Sequence, residues 1–335
     1  MSRRATLLAP LAACALAATL TACGGSEELT VYSGRSEELV GPLLERFNAE
    51  TGVDVAVRYG DTAELALLLA EEGEDTPADV FYSQSPGATG YLAGFDLLAG
   101  LEPDVLSQVD ERFRNADGRW VGVTGRQRVL VYNTELMEEG DLPASVLDVN
   151  DAEYAGRVAV APENGSFQDF VTALRQVEGD DVARSWLTGL AEAGAPTYAN
   201  NNAIVEAVSR GEIEMGLVNH YYNYRFLEEN PDAPTRNHVF AGADLGSLVI
   251  DSTVSVTAGA ADNADADALV AFLLSEESQR YFADETKEYP LAEGVEPTAD
   301  VPPLDLGSAP GYQADDLGGG LTDTIDLIRD SGLGV

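Results

Sequence analysis

The sequence predicts an α/β protein of two lobes, each built on a mainly parallel sheet, with hinge-like strands crossing between them. Two observations carry this. From Leu29 onward, short apolar runs alternate with longer amphipathic ones, and the alternation comes in two series separated by one long run with β-rich ends. The chain has 335 residues, 45% hydrophobic and 23% charged, which is enough apolar chain for cores of ordinary size without disulfide staples.

Leu29 to Tyr32 reads as the first strand. Leu39, Leu43, Leu44 and Phe47 then recur at helical spacing, and Gly52 after Thr51 supplies a stop. Val53, Val55 and Val57 alternate with polar partners as a second strand, Thr62 with Glu64 to Leu69 begins a second helix, and Ala78 to Tyr82 is a third strand. Three such units by residue 82 describe a doubly wound lobe. The second series has strand candidates at Arg157 to Ala161, Thr197 to Tyr198 and Glu214 to Val218, with helices at Gln168 to Gln176, Val182 to Ala193 and Ala203 to Arg210. Between the series, Trp120 to Asn133 is long enough to cross from one lobe to the other, and Leu245 to Thr257 to cross back. The tail from Pro302 is rich in Gly and Pro before a last helix at Leu321 to Arg329. The expected division is a leader of residues 1–22, a tether of 23–28, an N-lobe of 29–126 with 252–302, and a C-lobe of 127–251 with 303–335.

The leader rests on a basic start at Arg3 and Arg4, followed by the apolar stretch Ala5 to Leu20, too short for a convincing membrane span. It ends in Leu20-Thr21-Ala22-Cys23, which looks like a bacterial lipobox, so Cys23 is expected to carry lipid; an ordinary cleaved signal with a chance cysteine is the other reading. Gly24, Gly25 and Ser26 would be a short flexible tether. Because Cys14 falls in the leader, the processed chain is expected to hold no free thiol, disulfide or thiolate metal site. The expected location is extracytoplasmic, with the membrane reached through the N-terminal lipid only.

Acidic residues outnumber basic ones 58 to 19, a formal charge of −39. Loss of residues 1–22 would leave 17 basic residues and a charge of −41. Such a surface excludes a sequence-independent grip on nucleic acid. Lys287 is the only lysine.

Enzyme signals are thin. With only His220 and His238, zinc-hydrolase spacing is absent and a Ser-His-acid triad has few candidate bases. No nucleophile elbow, P-loop or dinucleotide fingerprint is present. The acids from Asp262 to Asp267 lack the central glycine and late glutamate of a calcium loop and read as a helix entry. The informative cluster is Asn219-His220-Tyr221-Tyr222-Asn223-Tyr224-Arg225, directly after the apolar strand Met215 to Val218. At the carboxyl end of a strand it falls where open α/β sheets bind ligands. Two adjacent tyrosines reach one point only at an irregular strand-to-helix junction. Phenolates are hard oxygen donors suited to a small trivalent cation such as Fe(III), and with pKa values near 10 they stay protonated until a metal displaces the protons. The residue types alone leave a second reading open, an aromatic helix face with Tyr224 and Phe226 in the core.

Val31-Tyr32-Ser33-Gly34-Arg35, Thr76-Pro77-Ala78-Asp79-Val80-Phe81-Tyr82 and Asn219-His220-Tyr221-Tyr222 resemble, in order, the ferric-ion-binding proteins that serve bacterial ABC importers. The resemblance implies a two-lobed, periplasmic-binding-protein-like fold with a central ligand cleft, Fe(III) as cargo, a synergistic anion such as phosphate or carbonate, and an ABC permease as partner to a monomeric binding protein. It matches Tyr221 and Tyr222 to the paired iron-binding tyrosines. Asn164, Gly165 and Ser166 resemble the anion-binding turn, and Asn201 and Asn219 the asparagines near it, in accord with helix starts as anion sites. Departures are equally specific. Ser36 and Glu37 stand where some members place a histidine or tyrosine, Gln84 where others have a glutamate ligand, and Phe167 where others have a third tyrosine. Arg35, Arg126 and Arg128 are candidates for the anion's counter-charge, with pairing to surface acids as the alternative, most of all for Arg128. Glu37 is a possible oxygen ligand or an ordinary helix cap. Two rival functions stay open: an importer binding protein for a small phosphorylated or carboxylated solute, and a cell-surface hydrolase.

Overall fold

The computed structural model describes residues 28–298, 300–304 and 314–333; the expected leader of residues 1–22 and the lipidation site Cys23 lie outside the described residues. The first series folds as strand β1 (Leu29–Ser33), helix α1 (Glu37–Thr51), β2 (Val55–Tyr59), α2 (Thr62–Glu72) and β3 (Val80–Ser83). Helix α1 stops where Gly52 takes the left-handed conformation, φ 76°, which costs a residue without Cβ nothing. Leu39, Leu43, Leu44 and Phe47 form its buried stripe. Two short helices, α3 (Pro86–Ala93) and α4 (Pro103–Leu106), precede the 13-residue strand β4 (Val121–Asn133). The second series is β5 (Val158–Ala159), α5 (Gly165–Glu178), α6 (Asp180–Glu192), α7 (Asn201–Ser209), β6 (Met215–Asn219), α8 (His220–Glu229) and β7 (Thr235–His238). Strand β8 (Val249–Val256), helices α9 (Ala264–Leu273) and α10 (Glu276–Tyr281), strand β9 (Tyr289–Pro290) and helix α11 (Leu321–Asp330) complete the described chain.

Strand β4 is the spine. Its first half, Val121 to Gln127, pairs antiparallel with β8, and its second half, Arg128 to Asn133, pairs with β6 and β7. The strand order is β2-β1-β3-β8-β4-β6-β5, with β7 and β9 also on β4. The change of partner at Gln127/Arg128 is the crossing that the long apolar run anticipated. The sheets are mixed rather than mainly parallel: β1 is parallel to β2 and β3, and β5 to β6, but every pair involving β4 or β8 is antiparallel. A chain that crosses out on β4 and returns on β8 must run in opposite senses, so this correction follows from the two crossings themselves.

Smaller differences are local. Thr197 and Tyr198 yield only a single bridge to Val160, because Asn200 caps α7 two residues later. The return run opens as a 3-10 turn, Leu245–Ser247, capped by Asp244, so that β8 begins at Val249. The acidic run enters α9, capped by Asn263 with Asp265 and Asp267 in the first turn, where the helix dipole favours negative charge. One apolar core packs α1 and α9 against the first sheet and continues through Val129 and Val218 to Tyr221 and Tyr222. A second gathers Phe167, Phe170, Trp186 and Leu187 around the second sheet. The tail joins both lobes, with Leu317, Leu327 and Ile328 in the second core while Ala314 and Leu321 pack with Leu65 and Leu92. Among the described residues no helix is long and apolar enough to cross a membrane.

Candidate functional site

The tyrosine pair sits where a strand turns directly into a helix. Strand β6 ends at Asn219 and α8 starts at His220, so Tyr221 and Tyr222 occupy its first turn and their rings stack at 4.0 Å, 29° apart. Both are buried, and the Tyr221 hydroxyl has no hydrogen-bond partner among the described residues. Burial drives the Tyr221 phenol well above its ordinary pKa, with Tyr222 adding to the effect and Arg35 opposing it. In this state it is a neutral phenol. Tyr222 accepts a 3.4 Å hydrogen bond from Gln84 Nε2, and the Arg35 guanidinium lies 6.0 Å from the Tyr221 ring centre. Tyr224 and Phe226, farther along α8, are only half-buried.

Behind the pair lies a buried charge cluster. Arg35, at the end of β1, and Arg126, on β4, are both fully buried, and both face Glu288: Arg35 Nη2 at 2.6 Å and Arg126 Nε at 3.8 Å. Burial is the largest single effect and opposes the charge on Arg35, but Glu288 together with Tyr221, Tyr82 and Tyr222 outweighs it, so its pKa stands above the ordinary value. Arg126 also donates to the Gln84 carbonyl. Arg35 Nε, Arg126 Nε and Arg126 Nη1 are buried without hydrogen-bond partners among the described residues, as is the Tyr221 oxygen. Unmet buried donors of this kind are costly unless something polar meets them.

The residues likened to an anion site are linked to one another. Arg128 Nη1 donates to Asn219 Oδ1 at 3.1 Å, and Asn219 Nδ2 donates to Ser166 Oγ at 3.0 Å. Burial lowers the Arg128 pKa to about 10. Asn164 caps α5 by accepting the Ser166 N–H, and Gly165 follows at the first helical position. Asn201 is buried in the first turn of α7, its Nδ2 without a partner among the described residues. Among the described residues none of the three arginines pairs with a surface acid, which corrects that alternative, for Arg128 above all: its polar partner is the buried Asn219.

An open cleft of about 470 Å³ leads to this group, lined among others by Arg35, Glu37, Gln84, Asn164, Tyr222 and Arg225. Glu37 is exposed in the first turn of α1, and Ser36 stands exposed beside it. At the rim Arg225 of α8 pairs with Glu38 of α1, a contact across the cleft. Phe167 points away: its ring packs 6.2 Å from both Phe170 and Trp186 in the second core. The structure therefore brings together the tyrosine pair, Arg35, Arg126, Gln84 and the Arg128–Asn219–Ser166 chain, and leaves Phe167 out. Among the described residues no three His, Cys, Asp or Glu side chains form a metal-binding group, so the phenols are the distinctive hard donors here.

Sequence reading missed two participants, Glu288 and Asp169, and gave no role to a third, His220. Glu288 lies in no motif and reaches the arginines only through the return of the chain. His220 is buried; its Nδ1 accepts the Gln127 N–H at 3.1 Å and its Nε2–H donates to the Lys287 carbonyl at 3.0 Å, while the ring stacks on Tyr289 at 4.4 Å. Burial pushes its pKa down to about 3, so it is a neutral tie at the point where β4 changes partners. Asp169 of α5 accepts from Ser85 Oγ at 2.5 Å, joining α5 to the start of α3, and burial raises its pKa to about 7.

Residues 75–309 match the family model described as bacterial extracellular solute-binding protein. The major ferric iron-binding protein of Neisseria meningitidis is 34% identical over 304 residues, 89% of this chain and 92% of the relative. The Fe(3+)-binding periplasmic protein of Serratia marcescens is 28% identical over 342 residues, 99% of this chain and all of the relative. Among solved structures, iron-bound HitA from Pseudomonas aeruginosa superimposes with a TM-score of 0.87 at 35% identity, covering 91% of this chain and 99% of that one.

Proposed function

The chain belongs to the bacterial extracellular solute-binding proteins, in their ferric-ion-binding family, and from that premise we propose that it captures Fe(III) between its lobes through Tyr221 and Tyr222 together with a synergistic anion. The carrying observation is the stacked, buried tyrosine pair at the β6–α8 junction, one phenol oxygen unpartnered and two buried arginines beside it. Fe(III) displaces two phenol protons to solvent, and the resulting phenolates are favoured by the N-terminal end of α8. The anion, phosphate or carbonate, uses the unmet arginine donors and the Asn164-Gly165-Ser166 turn with Asn201 and Asn219. Closure is stabilised by contacts that span the cleft, Gln84 to Tyr222 and Glu38 to Arg225. The lobes are 29–126 with 252–302 and 127–251 with 303–335, a division supported by the change of partner along β4. The loaded monomer, held at the membrane by lipid on Cys23, hands iron to an ABC permease and performs no catalysis.

The test is optical. Adding Fe(III) to the purified protein is expected to raise a phenolate-to-iron charge-transfer band that disappears in Tyr221→Phe/Tyr222→Phe; unchanged iron binding by the double variant refutes the assignment. A second reading, a phosphorylated or carboxylated solute, is favoured by the cleft volume of about 470 Å³ with Asn164, Asn200, Asn202 and Gln84 in its wall. Calorimetry with phosphate esters in iron-free buffer separates the two.

A further inference from the structure

We propose that Glu288 is the resident counter-ion of the anion pocket and that it makes tight anion binding conditional on iron. The inference rests on the iron reading above and extends it to how anion and metal are coupled. Glu288 is fully buried, and its two oxygens are divided between the arginines: Oε2 lies 2.6 Å from Arg35 Nη2 and Oε1 3.8 Å from Arg126 Nε. The Thr124 hydroxyl lies 3.2 Å from Oε1 and that of Thr286 3.0 Å from Oε2, so both lone-pair sides of the carboxylate are held.

The segment carrying it is fastened to the tyrosines. Lys287 adopts φ 60°, the left-handed turn that swings Glu288 inward; its carbonyl accepts from His220, and its ammonium lies 3.0 Å from Glu228 of α8. Tyr289 stacks on the same histidine. Three consecutive residues, 287 to 289, thus hold the helix start that carries Tyr221 and Tyr222 in fixed relation to the arginine pair.

Charge counting gives this arrangement its consequence. Two guanidinium groups and one carboxylate leave the buried trio with one net positive charge. A dianion entering alone would leave one uncompensated negative charge out of water, which is strongly unfavourable. Fe(III) with two phenolates brings one more positive charge, so metal and dianion together reach neutrality. Arg128 is counted apart, because it donates to Asn219 and makes no ion pair with the trio, and its charge is the same in wild type and in both variants, so it cancels from their comparison. Replacing Glu288 by the neutral isostere glutamine raises the trio to two positive charges. A dianion is then balanced without metal.

The experiment is phosphate titration by calorimetry of iron-free wild type, Glu288→Gln and Arg35→Gln/Glu288→Gln, followed by Fe(III) titration of each with and without phosphate. E288Q is expected to bind inorganic phosphate at least about tenfold more tightly than wild type in the absence of iron, as an added charge a few ångströms away demands. The double variant restores one positive charge and is expected to fall back below E288Q. The gain in iron affinity that phosphate confers is expected to shrink in E288Q. Equal or weaker phosphate binding by a cooperatively melting E288Q overturns the inference. Should E288Q fail to fold, wild type decides: phosphate must bind at least about tenfold more tightly with Fe(III) than without, and equal affinities overturn the inference. The iron-free phosphate arm does not depend on the tyrosines. Loss of the charge-transfer band in wild type therefore refutes the iron reading, whereas an intact band with unaltered phosphate affinity in E288Q refutes only the role of Glu288.

Discussion

Asp251 offers a sharp test of the electrostatics beside the site. It lies on β8 opposite Gly125, fully buried, with neither carboxylate oxygen hydrogen-bonded to any described residue. Its Oδ2 occupies space that a side chain at position 122 would fill, since a Cβ built on Gly122 would stand 2.7 Å away. Burial raises its pKa from 3.8 to about 8, while Arg126 pulls the other way. The folded protein thus keeps a proton that the unfolded chain releases above pH ~4. Stability from this group falls as pH rises, by about 1.4 kcal/mol per unit between pH ~4 and ~8, and then levels. Near pH 7.5 the accumulated cost is about 5 kcal/mol. Asp251→Asn removes the titration at constant shape, and because its new amide hydrogens also need acceptors, a net gain of about 2 to 4 kcal/mol is expected. Urea unfolding of both proteins near pH 5 and pH 7.5 measures it: the D251N advantage should grow with pH. Asp169, raised to about 7, titrates in both proteins and enters the difference only through its repulsion of Asp251. If D251N is instead the less stable protein near pH 7.5, by the several kcal/mol that breaking a buried ion pair costs, then Asp251 is ionised and paired with Arg126. An ionised Asp251 would also lower the charge counted around Glu288 by one.

Other outcomes follow from the same geometry. Because burial holds the Tyr221 phenol protonated, iron loading should release about two protons in a pH-stat, and conditional iron affinity should drop roughly 100-fold per unit of acidification below neutrality; a release near zero contradicts phenolate ligation. Gly34→Ala would put a Cβ 1.8 Å from Thr62 Oγ1, so a loss of about 1 to 3 kcal/mol in chemical denaturation and weaker iron binding through displaced Arg35 are expected. Phe167→Tyr should add no iron ligand and leave the charge-transfer band unchanged, while burying a hydroxyl against Phe170 and Trp186 costs about 1 to 3 kcal/mol. Arg225→Ala should change stability by less than about 1 kcal/mol, since Glu38 is largely exposed, an effect that added salt erases.

Local pattern determined a good deal by itself. Helical spacing and a glycine stop located α1, short apolar runs located β1 and β3, alternation located β2, and the long β-rich runs announced β4 and β8, because these signals depend on neighbours a few residues apart. The tyrosine pair was legible for the same reason: two adjacent phenols after an apolar strand mark one junction. What only the tertiary structure decided are relations between distant segments. The antiparallel pairing of the crossing strands needs both crossings at once. Arg35 and Glu288 meet across 253 residues of chain, and no spacing rule connects them. Phe167, directly after the Asn164-Gly165-Ser166 turn, could face cleft or core until the packing of Trp186 decided for the core. Charge shows the same division. The total of −39 is a property of composition and mostly of surface, whereas the charge that matters at the site is set by two arginines and one glutamate that folding takes out of water together.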